Sequence, residues 1–338
     1  MGEKLREADQ LIDISLPEEA GSVLGHDAAF SSLIAQTQAN QLPSAIMLHG
    51  AKGIGKASFA FALAKEIFLI TGDEKKLQID RQVAAGSHPN LFIVRKTAKK
   101  PKGFYSDIRI DEVREIQKRM RKTRGRKGHR ICIIDAIDDC NIKSSNALLK
   151  ILEEPPANTI FILISHRPGS LLPTIHSRTQ KYALKTLSDE MVQDILIDKV
   201  SDISPKNIEN CVKLANGRPR RAIMAAMLEG LNILSDLQNW LDNEANNNHI
   251  ALSEEIIKAG IAEQEFAREI IIDWIANQAN FVAKNNINNR YRFASINKLW
   301  DKANEMFNQA DIYNLDKKQT MVAILDACYN YNSTYNIK

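Results

Sequence analysis

The stretch Gly50-Ala-Lys-Gly-Ile-Gly-Lys56 constrains the fold of this chain more than any other. It sets three glycines and a lysine between a short apolar run, residues 45–49, and an alanine-rich stretch, 58–68, whose apolar residues recur at helical spacing. That order predicts a strand, a tight turn and a helix. A glycine-rich turn lets backbone N–H groups converge on phosphate oxygens, because glycine has no side chain in the way and tolerates positive φ. The helix that follows adds the positive end of its dipole. Lys56 supplies a mobile cation for terminal phosphates. Gly50, Gly53, Gly55, Lys56, Ala57 and Ser58 are therefore the candidate nucleotide-binding positions of this loop.

Two chemical groups are missing around it. The residue after the lysine, where such loops hold magnesium through a hydroxyl, is Ala57. Ser58 comes one residue late, and a helical step of about 100° turns its hydroxyl away. The run Arg130-Ile-Cys-Ile-Ile-Asp135 reads as a strand buried on both faces. It ends in an aspartate where open α/β sheets place their ligands, although a helix-capping aspartate would look similar. The next residue is Ala136, not a glutamate able to orient an attacking water. Asp138 and Asp139 read as solvated or capping. Two alternatives follow: a site that holds ATP or ADP without hydrolysing it, or a loop kept as an empty relic.

A longer string carries a resemblance. Ser144-Ser-Asn-Ala-Leu-Leu-Lys-Ile-Leu-Glu-Glu-Pro-Pro156 predicts a short helix with Ala147, Leu148, Ile151 and Leu152 on its apolar face, stopped by the double proline. Together with a strand over 159–164 and Leu171-Leu-Pro-Thr-Ile-His-Ser-Arg178, it closely resembles the AAA+ subunits of clamp loaders. Gly25-His26, Leu42-Pro-Ser-Ala45, His88-Pro89 and Gly217-Arg-Pro-Arg-Arg-Ala222 add to the match. The resemblance spans residues 20–225, is most specific over 130–180 and is weak beyond 230.

The resemblance implies a fold: an α/β P-loop AAA+ module with a parallel sheet and crossover helices, a small helical lid and an all-α C-terminal collar. It also assigns roles. Ser177-Arg178 is the pair that places an arginine finger in a neighbouring subunit's ATP site, with Thr179 replacing the usual cysteine. An ordinary surface arginine at a helix end is the alternative. Arg220 takes the position that contacts a terminal phosphate within the subunit, with Arg218 and Arg221 crowding the same turn. The polar sensor after the next strand falls at Ser165 or His166, a departure from the threonines of active members. With Ala57 and Ala136, this implies a non-hydrolysing subunit of a replicative DNA polymerase's clamp loader. Its partners would be gamma/tau-type and delta-type subunits and, through them, the sliding clamp and primed DNA. The alternatives are an active gamma/tau-type ATPase and an AAA+ adaptor outside replication.

Many members of that family carry a zinc-binding insert with four cysteines. Here Cys132, Cys140, Cys211 and Cys328 are scattered, none falls within 69–88, and no CxxC spacing occurs, so no zinc or other metal site is expected. The chain has 338 residues, enough for two or three cores. Nothing approaches the ~20 apolar residues needed to cross a bilayer. The polar N-terminus lacks a signal-peptide core, so a cytoplasmic location is expected.

Net charge is only +4, but Lys118, Arg119, Arg121, Lys122, Arg124, Arg126, Lys127 and Arg130 cluster. They either contact DNA phosphates or form a solvated loop facing a partner. Expected boundaries are a polar lead-in at 1–20, the AAA+ domain at 21–185, three short lid helices within 186–230 and the collar at 231–338. Asn246-Asn-Asn-His249 and Asn285-Asn-Ile-Asn-Asn289 read as turns, and Trp240, Trp274 and Trp300 are spread among helices. Ile256, Ile257, Ile261, Phe266, Ile270, Ile271, Trp274 and Ile275 recur at helical spacing. Most are core and some are collar contacts, two sets that sequence does not separate.

Overall fold

A computed structural model describes residues 8, 10–11, 14–21, 23–72, 74–99, 103–121, 125–243, 249–284 and 290–335. The chain divides into two compact units, Met1–Ile195 with Gly217–Arg220, and Leu196–Asn216 with Arg221–Lys338.

The first unit alternates helices and strands: α1 (Asp27–Gln38), β1 (Ala45–His49), α2 (Lys56–Thr71), α3 (Lys76–Ala84), β2 (Leu91–Arg95), α4 (Ile110–Met120), β3 (Arg130–Asp135), α5 (Ile142–Glu153), β4 (Thr159–Ser165), α6 (Pro173–Arg178) and β5 (Gln180–Ala183). All strand pairs are parallel, in the order β2-β3-β4-β1-β5. Because side chains alternate across a strand, each apolar run feeds two cores. Ile46, Leu48, Ile131, Ile133, Ile160 and Ile162 pack with Leu33 of α1 and Phe59 and Leu63 of α2. Met47, Cys132, Ile134, Phe161 and Leu163 pack on the other face with Val113 and Ile116 of α4 and Leu148 and Leu152 of α5. Each fully buried isoleucine or leucine contributes about 1.5–3 kcal/mol, so the continuous apolar runs are what a sheet covered on both sides requires. β5 is a four-residue edge whose Gln180 and Lys181 are exposed.

Register brings the functional ends together. His49 lies opposite Ser165, and Asp135 lies between Arg95 and Ile164. The loops leaving β1, β3 and β4 therefore open at one rim of the sheet. α5 begins slightly before the Ser144–Pro156 string: Asn141 caps it, accepting a 2.9 Å bond from the Ser144 backbone N–H. It ends before the prolines, as expected. Part of the polar lead-in is built into this unit, since Leu16 and Glu18 are buried and Glu18 pairs with Arg95 at 2.8 Å.

α7 (Asp189–Lys199), α8 (Pro205–Ala215) and α9 (Pro219–Ala226) follow. The rest of the second unit is helical: α10 (Leu231–Asp242), α11 (His249–Ala259), α12 (Ile261–Lys284), α13 (Arg290–Tyr313) and α14 (Lys317–Tyr335). Ile256, Phe266, Ile270, Ile271, Trp274 and Ile275 are core, whereas Ile261 is 67% exposed and Ile257 half-buried. Trp240 is buried and Trp300 exposed. The asparagine runs 246–248 and 285–289 lie outside the described residues. Among the described residues no helix is long and apolar enough to cross a membrane.

Candidate functional site

The loop 50–55 joins β1 to α2 in the conformation its glycines permit. Gly50, Gly53 and Gly55 all have positive φ. A Cβ on Gly50 would lie 2.2 Å from the Leu184 carbonyl oxygen and 2.8 Å from Ile54 Cδ1, so no other residue fits there. A Cβ on Gly55 would meet nothing within 4 Å among the described residues beyond its chain neighbours, which leaves that side of the loop open to an incoming group. His26 donates from Nε2 to the Ile54 carbonyl at 3.0 Å, which ties the Gly25-His26 box to the loop.

Lys56 is buried and bends back on its own loop. Its Nζ donates to the carbonyls of Gly50 at 2.7 Å and Ala51 at 2.6 Å. Burial pushes the ammonium down to about 8; Asp135 and Asp138 oppose that shift and Lys52 adds to it. The open side of the glycine loop and Lys56 are the features that would take a phosphate. A magnesium ion held in the usual way does not fit, because Ala57 presents only a methyl group, which packs toward the core. Ser58 is half-buried one step further round α2.

Asp135 ends β3 on the same rim, as read from the sequence. Asp138 does more than a solvated or capping residue would. Its Oδ1 accepts from Ser165 Oγ at 2.9 Å and from the Arg167 N–H at 3.0 Å, and its Oδ2 accepts from the His166 N–H at 2.6 Å. It thereby locks the end of β4 to the turn after β3. Asp139 pairs with Lys96 at 2.9 Å. Ser165 is fully buried and committed to Asp138, so of the two sensor candidates His166 has the freer side chain. Burial and Lys56 push its imidazole down to about 4 against the pull of Asp138, so it is neutral at physiological pH.

The three clustered arginines separate. The Arg220 N–H donates to the Gly53 carbonyl at 3.2 Å, and the Arg218 and Arg220 Cβ atoms lie 3.7 and 3.2 Å from where a Gly53 Cβ would sit. Arg221 is buried, paired with Asp273 and stacked over Phe266 with 4.9 Å to the ring centre. It is a core residue; Arg218 and Arg220 are the two set beside the loop, and the Arg220 backbone N–H bonds to it.

Ser177-Arg178 ends α6, away from the glycine loop in sequence and on another connection of the sheet. The Arg178 guanidinium is part-exposed. Nη1 donates to the Thr174 carbonyl at 3.0 Å and to Ser177 Oγ at 3.3 Å, and Nη2 donates to Glu153 Oε1 at 2.5 Å. The Glu153 contact was not legible from motif reading.

The basic cluster also divides. Arg130 is buried and bonds the carbonyls of Met120 and Ala157. Arg119 lies over the Phe92 ring, and Arg126 pairs with Glu74 at 3.3 Å. Lys118, Arg121 and Lys127 are exposed, whereas Lys122 and Arg124 lie outside the described residues. All four cysteines are free thiols, and burial pushes Cys132, Cys140 and Cys328 up to about 12 and Cys211 up to about 11. Among the described residues no three His, Cys, Asp or Glu side chains group as a metal site.

A parallel sheet in the order β2-β3-β4-β1-β5, with the glycine loop after β1, Asp135 after β3 and a polar residue after β4, defines a P-loop AAA+ module followed by helices. Within that class the sequence resembles the delta-prime subunits of bacterial DNA polymerase III. Residues 25–188 match the family model described as DNA polymerase III, delta subunit. The chain is 32% identical to the DNA polymerase III subunit delta′ of Pseudomonas aeruginosa, over 53% of this chain and 54% of that one. It is also 32% identical to the delta′ subunit of Bacillus subtilis, over 49% of each. The DNA polymerase III subunit gamma/tau of Mycobacterium bovis is 27% identical, over 53% of this chain and 31% of that one. The chain spans about half the length of the delta′ relatives it matches.

Proposed function

We propose that this chain is a non-hydrolysing clamp-loader subunit of a bacterial replicative polymerase, itself neither polymerase nor ATPase. It lends Arg178 to the ATP site of a neighbouring subunit while the assembly loads a sliding clamp onto primed DNA. One observation carries the reading: Arg178 stands part-exposed at the end of α6, while Ala57 and Ala136 occupy the positions that would hold metal and activate water in the chain's own site. A guanidinium set against a transferring phosphoryl group stabilises the charge that develops on it. When nucleotide is bound, the glycine loop, Lys56, Arg220 and Asp135 would hold ATP or ADP, with Ser177 beside the finger and no group poised to take a proton from water. Gamma/tau-type and delta-type subunits are the expected partners. The exposed Lys118, Arg121 and Lys127 are the described part of the basic cluster that could meet DNA phosphates, in a salt-dependent and sequence-independent way.

The test is a clamp-loader assembly reconstituted with Arg178→Ala. Loss of roughly 10³-fold or more in ATP turnover, with assembly intact, is expected, since a finger supplied in trans is worth ~10³–10⁵. Unchanged turnover would falsify the reading. The gamma/tau-like alternative, favoured by the relative just described, predicts ATP hydrolysis by the isolated chain that Lys56→Ala abolishes.

A further inference from the structure

We propose that Glu153 is a positioning residue for Arg178; the inference rests on the finger reading above. Three observations combine. First, Glu153 Oε1 accepts from Arg178 Nη2 at 2.5 Å, a charge-assisted bond between two helices that are distant in sequence. Second, Nη1 is held on its other side by the Thr174 carbonyl of its own helix and by Ser177 Oγ, so the guanidinium is braced from both ends of its fork. Third, Glu153 is the last residue of α5, which stops before Pro155-Pro156, so the helix end fixes the backbone from which its side chain reaches Arg178.

An arginine side chain loses rotamer freedom when it is fixed, and a planar fork already oriented loses less on meeting a phosphate. The bonds to Glu153, Thr174 and Ser177 use three of the five guanidinium N–H groups and leave two for a ligand. The pair is part-exposed, at 31% for Arg178 and 48% for Glu153, so water screens it. Such a contact orients the fork without holding it back from a doubly charged phosphate. This assigns the first glutamate of the Leu-Glu-Glu-Pro-Pro string a task in the neighbour's chemistry, without contact to nucleotide in its own site.

The experiment is steady-state ATP turnover by the reconstituted assembly with Glu153→Ala, Glu153→Gln, Arg178→Ala and the double variant Glu153→Ala/Arg178→Ala. Exposed ion pairs of this kind are worth up to about 1 kcal/mol, so Glu153→Ala is expected to lower kcat about two- to fivefold. KM for ATP and the yield of assembly stay unchanged. Glu153→Gln, whose amide oxygen still accepts the bond, recovers most of that loss. In the Arg178→Ala background Glu153→Ala has no further effect, because it acts only through the guanidinium. A kcat for Glu153→Ala equal to or above that of the unaltered assembly, while Arg178→Ala is inactive, overturns the positioning role and leaves the finger standing. Equal turnover in all four variants overturns the finger itself.

Discussion

The glycine-loop corner and the Arg178 corner belong to the same sheet domain and, on the function proposed above, hold opposite halves of one chemistry. At the first, the scaffold is complete and the reagents are absent: the glycine turn, the helix start and Lys56 are in place, but the lysine is buried against its own loop carbonyls and alanines stand at 57 and 136. At the second, a guanidinium stands with little scaffold, on a six-residue helix and steadied by one glutamate from the end of α5. Burial stabilises the first corner as architecture, while exposure makes the second available to another molecule. On the function proposed above, such a domain sheds catalysis at one rim and supplies it at another without changing its core.

The sharpest way to break this contrast is to alter both corners in one assembly. Arg178→Ala should lower ATP turnover ~10³-fold or more, whereas Lys56→Ala should change it less than about twofold. Comparable losses from both would mean that the first corner is still chemically active. A change in the core beneath both should weaken both. Ile162→Ala, at a fully buried site in the central strand β4, should cost about 2–5 kcal/mol by urea unfolding.

Asp138→Ala removes the acceptor of three bonds that tie the β4 end to the rim, and about 2 kcal/mol should disappear from the same measurement. Asp139→Ala, which loses only a part-exposed pair with Lys96, should cost less than about 1 kcal/mol.

The smallest effects are in pH. His166 titrates near 4 in the fold and near 6.5 when unfolded, so the unfolded chain binds the extra proton between those values. Stability should fall as pH drops through that window and level off below it, with a shallower slope in His166→Asn. Lys56 is likewise depressed, from 10.5 to about 8. Its buried charge should therefore weigh on the fold below about pH 8, and stability should recover as pH rises toward 10.5. Lys56→Met should remove that recovery. Denaturant midpoints taken across both windows check the two signs.

Much of the first unit was legible because its signals are local. A glycine turn, apolar runs of strand length and a proline stop each fix a backbone shape without help from distant residues, and the β3, β4 and α5 assignments follow from them. What stayed hidden depends on partners far along the chain. Arg221 reads like Arg220 in sequence, yet a helix some fifty positions on supplies Asp273 and makes it core. Arg130 counts toward a basic cluster, yet two carbonyls bury it. Asp138 became visible as a clamp only once the β4 end was placed beside it, and Glu153 as a partner of Arg178 only once α5 and α6 met. In the second unit, periodicity correctly marked helices, but only packing separated Ile261 at the surface from Ile270 in the core.

The narrow outer strand β5 has a consequence for how this molecule meets others of its kind. Parallel sheets with a long, flat, apolar margin recruit further strands, from neighbours or from misfolded copies. Here the margin is four residues long and presents Gln180 and Lys181 to solvent. A lysine there imposes a charge on any strand that tries to add, and the short length offers few bonds in return. Growth by sheet extension is closed at this edge, so at high concentration the domain is guarded on that side against the disordered association that exposed strands invite.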